Sequence, residues 1–499
     1  MDGFFRRREF VIILALCILA SIRVFVFSAG FPLFGNVDEG PHYSVVLDYA
    51  DGHIPVDLET YNAEAGRNIA WYGSPEYMVT QEHVDQGLMR PPLDQLPPRI
   101  ANAVAEQGAS NLMSLRNGES TQPPVYYATA AVWYKLGELL GLTDARLAYW
   151  IRFLNVLVYG LLVWTAYVFL RRLYAGNPLF YMGVPLMLAV FPQDVFYQMN
   201  NDILTPLLFT VAFYSLLRIY LEGNKSYWLH LITGLSVAAV VLVKFSNVTI
   251  LVPMGIIVLM ALRKARSAGE LRKALPRIGV MLAAAAIPVA LWLIRNYVVM
   301  GELGGGYEKA EFLGWTYKPL AEIFHHPIFT PAGAWVFVSE LITMFWRGEM
   351  VWHVIRMAMS AADIFYIAST LLFTGAAVVA LLWRREQRPA EERFAGWIGI
   401  SVIAVSVLMM LAMSTVFDFG GCYYPSPDHP YFTSGRLMSG VMVPFLVLYI
   451  SGLDFLMSRA RLRINRLGVL LAIVVLITAS EIAITLPAFH SPWNWFHLS

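Results

Sequence analysis

Apolar residues in this chain come in long unbroken runs, separated by short polar breaks, with little alternation. Residues 11–29, 280–299 and 398–416 each approach the ~20 residues needed to cross a hydrocarbon core. Backbone groups in lipid must be satisfied within their own segment, so runs of this length predict helices. The pattern predicts eleven spans, at residues 10–29, 148–170, 179–194, 202–221, 228–243, 247–262, 278–299, 362–383, 396–416, 437–457 and 467–486.

Basic residues orient these spans. Arg6, Arg7 and Arg8 place the amino terminus inside, and Arg171 with Arg172, segment 263–277, segment 384–393 and segment 459–466 are expected on the same side. Two further apolar stretches, 125–142 and 328–346, would each carry a basic cluster to the wrong side if they crossed. Both are therefore expected at the outer interface as amphipathic or half-buried helices. The predicted fold is an all-α polytopic membrane protein, one transmembrane domain over residues 1–499. Long outer segments lie at 30–147 and 300–361, and a short one at 417–436. No internal repeat is visible. The arginines before the first run also suit a secretory signal. That run exceeds a signal core and lacks a small-x-small cleavage site, so it reads as a retained span. The expected location is a bacterial-type plasma (inner) membrane, with a cytoplasmic amino terminus and an extracytoplasmic carboxyl terminus.

Composition agrees: 58% of residues are apolar and 14% charged, against about 25% charged in soluble domains. A net charge of +1 without a basic stripe excludes nucleic acid as the main partner. The two cysteines, Cys17 in the first run and Cys422 in an outer loop, argue against a disulfide or a thiolate metal site.

Chemistry-bearing residues collect on the predicted outer side. Asn36-Val37-Asp38-Glu39-Gly40-Pro41-His42 follows the first span; paired carboxylates beside a histidine suit general-base or metal work. Asp38 and Glu39 equally suit a helix cap. Asp202, after Asn200-Asn201, begins the fourth span and is open to the same two readings. Lys244, Arg295 and Arg436, together with Arg146 and Arg152, stand where the orientation rule disfavours cations. A bound anion would explain them, since Arg and Lys hold phosphate well; pairing with nearby acids or snorkelling would also explain each one. Gln122-Pro123-Pro124-Val125-Tyr126-Tyr127 opens the helix of 125–142. Gly304-Gly305-Gly306 is no phosphate loop, because neither a GK[ST] nor a strand accompanies it. The outer tryptophans, Trp71, Trp315, Trp335 and Trp346, suit an interfacial belt better than a sugar platform.

Taken together, these motifs resemble the polytopic GT-C glycosyltransferases, and more closely the lipid-linked-sugar transferases related to protein O-mannosyltransferases and aminoarabinose transferases. Asp38-Glu39 resembles the family's acidic motif in the first outer loop. The Pro-Pro segment after Gln122 resembles its PPL-type element, with Gln122 where the family often has Lys or His. Asp202 and Lys244 stand where relatives carry a second acid and a lysine. The resemblance covers roughly residues 1–300, and beyond that only Arg436 with Pro444 fits the pattern.

The resemblance implies transfer of a sugar from a polyprenyl-phosphate donor to an outer-face glycan, lipid or protein acceptor, with inversion, among membrane lipids. Asp38 would be the base, with Glu39 or Asp202 orienting the acceptor. Lys244, Arg436 and Arg295 would hold the phosphate, and His42, Gln122, Tyr126 and Asn201 would line the substrate. A divalent metal is left open, with Asp38, His42 and Asp202 as its ligands if one binds. The rival readings are a transporter or flippase for a lipid-linked anion, using the same cations without reaction, and a non-catalytic scaffold. One reacting centre requires Asp38, Asp202, Lys244 and Arg436 to lie within ~15 Å of one another, given hydrogen-bond reach.

Overall fold

A computed structural model describes residues 2–35, 37–223, 226–383, 389–422, 424–459 and 465–498. Asn36 and the basic stretches 384–388 and 460–464 used for orientation lie outside the described residues.

Helices occupy all eleven expected positions: Asp2–Gly30, Asp144–Leu173, the pair Pro178–Tyr181 and Gly183–Ala189, Thr205–Leu221, Tyr227–Val243, Leu251–Ser267, Leu271–Met300, Ser360–Trp383, Ala390–Val416, Met442–Arg459 and Arg466–Phe489. Strands are minimal. Among the described residues they are two antiparallel pairs of two residues each, one of which, Thr316–Tyr317 with Phe417–Asp418, joins the second outer segment to the third. The outward faces are apolar. On Leu271–Met300, Leu291 is 63% exposed and Val298 76%. Such continuous apolar exposure suits lipid and not water, and the protein is a multi-pass membrane protein. Asp144–Leu173 and Leu271–Met300, at 30 residues each, are about 45 Å long at 1.5 Å per residue. They therefore outrun a ~30 Å hydrocarbon core and extend into the loop layer.

The third expected span differs from the rest. Its two helical pieces hold four and seven residues, and the chain then runs through 190–204 with only the 3-10 turns Asp194–Tyr197 and Asn201–Leu204. Pro185 and Pro192 explain the interruption, because proline removes a donor and blocks helix continuation. Irregular backbone at this depth persists only inside protein. Gln193, Asp194, Gln198, Asn200, Asn201 and Asp202 are accordingly all buried.

Residues 125–142 form the helix Pro124–Leu139, packed on Glu39–Ala50 and on Asp144–Leu173. Stretch 328–346 forms Pro331–Arg347, whose last turn packs into the bundle: Trp346 is fully buried and stacks on Tyr366 at 5.2 Å. Arg23 lies within the first helix, 8% exposed. It turns inward to Glu481 and Tyr197, joining the first and last long helices through a buried ion pair. The long first outer segment has its own core, in which Tyr43, Val46, Tyr126, Tyr127 and Tyr134 pack against Ala148 and Tyr149.

Candidate active site

The broken segment 190–204, the break between Tyr227–Val243 and Leu251–Ser267, the turn after the first helix and the 3-10 turn Gly435–Val441 all meet at one end of the bundle. Their side chains converge there.

Asp202 is fully buried, and its two carboxylate oxygens accept from Lys244 Nζ at 2.9 and 2.8 Å. It is not a cap. Asn200 takes that role, its side chain accepting from the Asp202 backbone N–H at 2.9 Å, which leaves the Asp202 carboxylate for Lys244. Lys244 sits in extended backbone between two helices. Burial lowers its pKa, and the Asp202 charge opposes that shift.

Asp38 is likewise no cap. It adopts the left-handed conformation, φ 59° and ψ 17°; its backbone carbonyl accepts from His42 N–H at 3.0 Å, but its side chain makes no capping hydrogen bond to the helix that follows. Aspartate tolerates this region better than most residues. The turn carries the carboxylate outward to Arg436, whose Nη2 donates to Asp38 Oδ2 at 2.6 Å. Burial works to raise the Asp38 pKa, but the Arg436 guanidinium holds it well below the usual carboxylate range. Its side chain remains 42% accessible while Asp202 keeps 1%, so Asp38 forms the open edge of the cluster.

Arg436 is the hub. Its Nε lies 2.8 Å from Glu349 Oε1 and its Nη1 lies 3.9 Å from Asp202 Oδ2. That Nη1 is buried and has no hydrogen-bond partner, and neither has Oδ1 of Asn201, the residue before Asp202. Buried polar atoms without partners are rare and cost about 1–3 kcal/mol each. The contacts of 2.6, 3.9 and 2.8 Å link Asp38, Arg436, Asp202 and Lys244 into one connected centre, well inside the required separation.

The remaining expected residues separate from this group. Glu39 pairs with Arg152 and not with the cations of this cluster. Both its oxygens accept from Arg152 at 2.5 Å and from the backbone of Gly35 and Met199, with both side chains 0% exposed. Arg295 also lies elsewhere, donating to the Ile54 and Pro55 carbonyls, so it holds the first outer segment and not the cluster. His42 is buried one turn below Asp38, with Nδ1 2.7 Å from the Tyr127 hydroxyl; burial lowers its pKa to about 4, which leaves it neutral. Tyr126 packs beside it at 6.3 Å, and Gln122 Oε1 accepts from Asn201 Nδ2 at 3.3 Å. These line the floor. Among the described residues no three His, Cys, Asp or Glu side chains gather, and the carboxylates of Asp38 and Asp202 are paired with the side chains of Arg436 and Lys244.

Three participants had no reading in the sequence. Glu349 forms an ion pair with Arg436 and accepts from Ser434 Oγ at 2.7 Å. Asp194 supports its backbone, accepting from the N–H groups of Glu349 and Met350 at 2.8 and 2.6 Å. Gly348 makes this possible, because a Cβ there would fall 1.9 Å from Asp194 Oδ1 and its φ is 85°. Glu119 pairs with Lys309 at 2.6 Å, tying the first outer segment to the second. Glu349 carried a faint signal as the acid closing an apolar stretch. The Glu119–Lys309 pair, 190 residues apart, had none.

An apolar cavity of about 260 Å³ lies between Ser360–Trp383 and Ala390–Val416, walled by Phe345, Ile403, Val407, Met438 and Val441. Met438 and Val441 belong to the same short turn as Arg436.

A family model described as a predicted membrane protein (DUF2142) matches residues 22–424. No curated protein matches the chain. Among solved structures, the oligosaccharyltransferase of Archaeoglobus fulgidus, in complex with Zn and sulfate, is similar at 12% identity and a TM-score of 0.43. It covers 95% of this chain and 53% of its own, so this chain spans about half that protein's length. ArnT from Cupriavidus metallidurans, bound to undecaprenyl phosphate, is similar at 12% identity and a TM-score of 0.35, covering 94% of this chain and 77% of its own.

Proposed function

The chain belongs to the DUF2142 family of predicted membrane proteins, and within that frame we propose that it is a glycosyltransferase using a polyprenyl-phosphate-linked sugar, with its site on the extracytoplasmic side. The observation that carries this reading is the position of Arg436. Its unpartnered buried Nη1 faces Asp202, which Lys244 also holds, and its own 3-10 turn supplies Met438 and Val441 to the wall of an apolar cavity between membrane helices. A ligand with a phosphate head and a hydrocarbon tail satisfies both features at once, which a soluble nucleotide sugar does not. The motifs around Asp38, Gln122, Asp202 and Lys244 that resemble lipid-linked-sugar transferases point the same way.

In this mechanism the donor phosphate lies against Arg436 and Lys244. The acceptor hydroxyl lies at the open edge, on Asp38. The acceptor oxygen bonds to the anomeric carbon as the bond from that carbon to the phosphate oxygen breaks. The hydroxyl proton passes to Asp38, and the polyprenyl phosphate leaves with the electron pair, its charge held by the two cations. Direct displacement inverts the anomeric centre. Before the donor binds, Asp38 is a poor base because Arg436 lowers its pKa. A phosphate that draws Arg436 towards itself weakens that hold and makes Asp38 more basic. Donor binding thus prepares the base.

The test is transfer from a polyprenyl-phosphate sugar by the full-length protein in lipid vesicles. Arg436→Ala and Asp38→Asn are expected to abolish product while the chain remains folded. An Asp38→Asn variant that folds, inserts and retains full transfer overturns the base assignment. Movement of the lipid-linked anion across the bilayer with no new glycosidic bond would instead establish the transporter reading.

A further inference from the structure

Two carboxylates stand within reach of the Nη end of Arg436. Asp38 takes Nη2 at 2.6 Å, at the open edge of the cluster. Asp202 lies 3.9 Å from Nη1, on the buried side. Attraction between opposite charges strengthens as water is excluded, so Asp202 draws the guanidinium away from the open edge. Glu349 acts against that pull. Its Oε1 lies 2.8 Å from Nε, and Ser434 Oγ bridges the pair, accepting from Nε at 3.4 Å and donating to Glu349 at 2.7 Å.

The segment that carries Glu349 is gripped from two sides. From the broken third span, Gln193 donates its side-chain amide to the Met344 and Phe345 carbonyls at 2.8 and 2.9 Å, and Asp194 accepts from the backbone of Glu349 and Met350. From the other side, Arg347 makes a two-bond pair with Asp363 at 2.7 and 3.0 Å and donates to the Gly348 carbonyl at 3.2 Å. The backbone of Arg436 rests on the same segment. Gly435 packs so closely there that a Cβ would fall 2.1 Å from the Phe345 nitrogen and 2.3 Å from the Met344 carbonyl carbon. Residues 344–350 therefore set both the stem of Arg436 and the direction of its tip. Neutralising an arginine requires no such frame; fixing its direction does.

We propose that Glu349 is a positioning residue: it holds the Nε edge of Arg436 so that Nη2 stays at the open edge, where the donor phosphate takes the place of Asp38. This role rests on the polyprenyl-phosphate reading. Without Glu349, the guanidinium turns onto Asp202 and the phosphate loses its anchor. The sign of the effect separates positioning from simple electrostatics. By charge alone, removing an acid beside an anion site strengthens anion binding, whereas losing a positioning residue weakens it.

The full-length protein in lipid nanodiscs would be titrated with undecaprenyl phosphate, with undecaprenol as the phosphate-free control, and Glu349→Ala would also be imaged without ligand by cryo-electron microscopy. Glu349→Ala is expected to bind the phosphate about tenfold or more weakly, the scale of one charge-assisted contact. In its structure Arg436 is expected on Asp202 and clear of Asp38. In an Asp202→Asn background, where the inward pull is gone, the same substitution is expected to cost less. Glu349→Gln, which keeps the side-chain volume, carries the same expectations should Glu349→Ala fail to fold. Binding equal to or tighter than the parent's overturns the proposal. So does an Arg436 that keeps its Asp38 contact in the variant, or an undiminished cost in the Asp202→Asn background. If the parent binds undecaprenol and undecaprenyl phosphate alike, the polyprenyl-phosphate reading fails, and the direction of Arg436 in the variant alone decides the positioning role.

Discussion

Asp38 and Glu39 are neighbours in sequence and carboxylates in kind, yet their surroundings predict opposite phenotypes. Glu39→Gln leaves Arg152 fully buried with its charge uncompensated, since both guanidinium contacts at 2.5 Å are to Glu39. Breaking one side of a buried, hydrogen-bonded ion pair costs about 3–5 kcal/mol. Carbonyls of Ser28, Phe31 and Pro32 still accept from Arg152, which places the expected loss towards the lower end of that range. Asp38→Asn preserves a side chain that tolerates the left-handed backbone and removes a contact from a partly open carboxylate, so stability should change by less than about 1 kcal/mol. Transfer should nevertheless fall by about 10²–10⁴-fold, the usual contribution of a general base. Both variants would be reconstituted, their unfolding followed in mixed micelles titrated with SDS, and their turnover measured per folded molecule. The expected result is a crossed pattern: Glu39→Gln destabilised but active when folded, Asp38→Asn stable but inactive. The division of labour is refuted if Glu39→Gln is as stable as the parent, or if each folded Glu39→Gln molecule is as inactive as Asp38→Asn.

Further outcomes follow from the same geometry. Arg436→Lys keeps the charge but loses the fork that reaches Asp38, Glu349 and a phosphate together, so transfer should drop at least about tenfold with donor KM raised. Gly435→Ala would place a Cβ 2.1 Å from the Phe345 backbone nitrogen, pushing Pro331–Arg347 away from the Arg436 turn; measured turnover should fall more steeply than the unfolding midpoint. His42 has a folded-state pKa of about 4 against an ordinary 6.5, so the unfolded chain takes its proton first on acidification. Its contribution is complete above pH 6.5 and is lost as pH falls towards 4. An unfolding series over that window should be flatter for His42→Gln than for the parent.

The spans were legible in the sequence because each is a continuous apolar run bounded by charge, a local property. The third span was less so. Pro185 and Pro192 signalled a break, but apolar content alone could not show that 190–204 is irregular and carries the floor of the site. Within the cluster, Asp202 and Lys244 were readable as ionisable residues in apolar surroundings, whereas the burial of Glu39 against Arg152 was not, because a buried ion pair and an open carboxylate look identical in a string of letters. Glu349 and Lys309 were missed for a third reason: their relevance arises only from folding of the outer segments.

The interrupted third span also constrains how the protein is made. Residues 178–204 cannot be stable as an isolated insertion unit, since the backbone they expose is satisfied by the side chains of Arg23, Glu39, Asn155 and Tyr159, while some of their own side chains bond parts of the chain synthesised much later. Gln193, for example, donates its side-chain amide to the carbonyls of Met344 and Phe345, about 150 positions downstream. Until translation has delivered those residues, this stretch has to wait at the translocon or the membrane surface. The site therefore matures last during biogenesis, and chains halted before residue 344 should be cleared by quality-control proteolysis instead of accumulating as partial bundles.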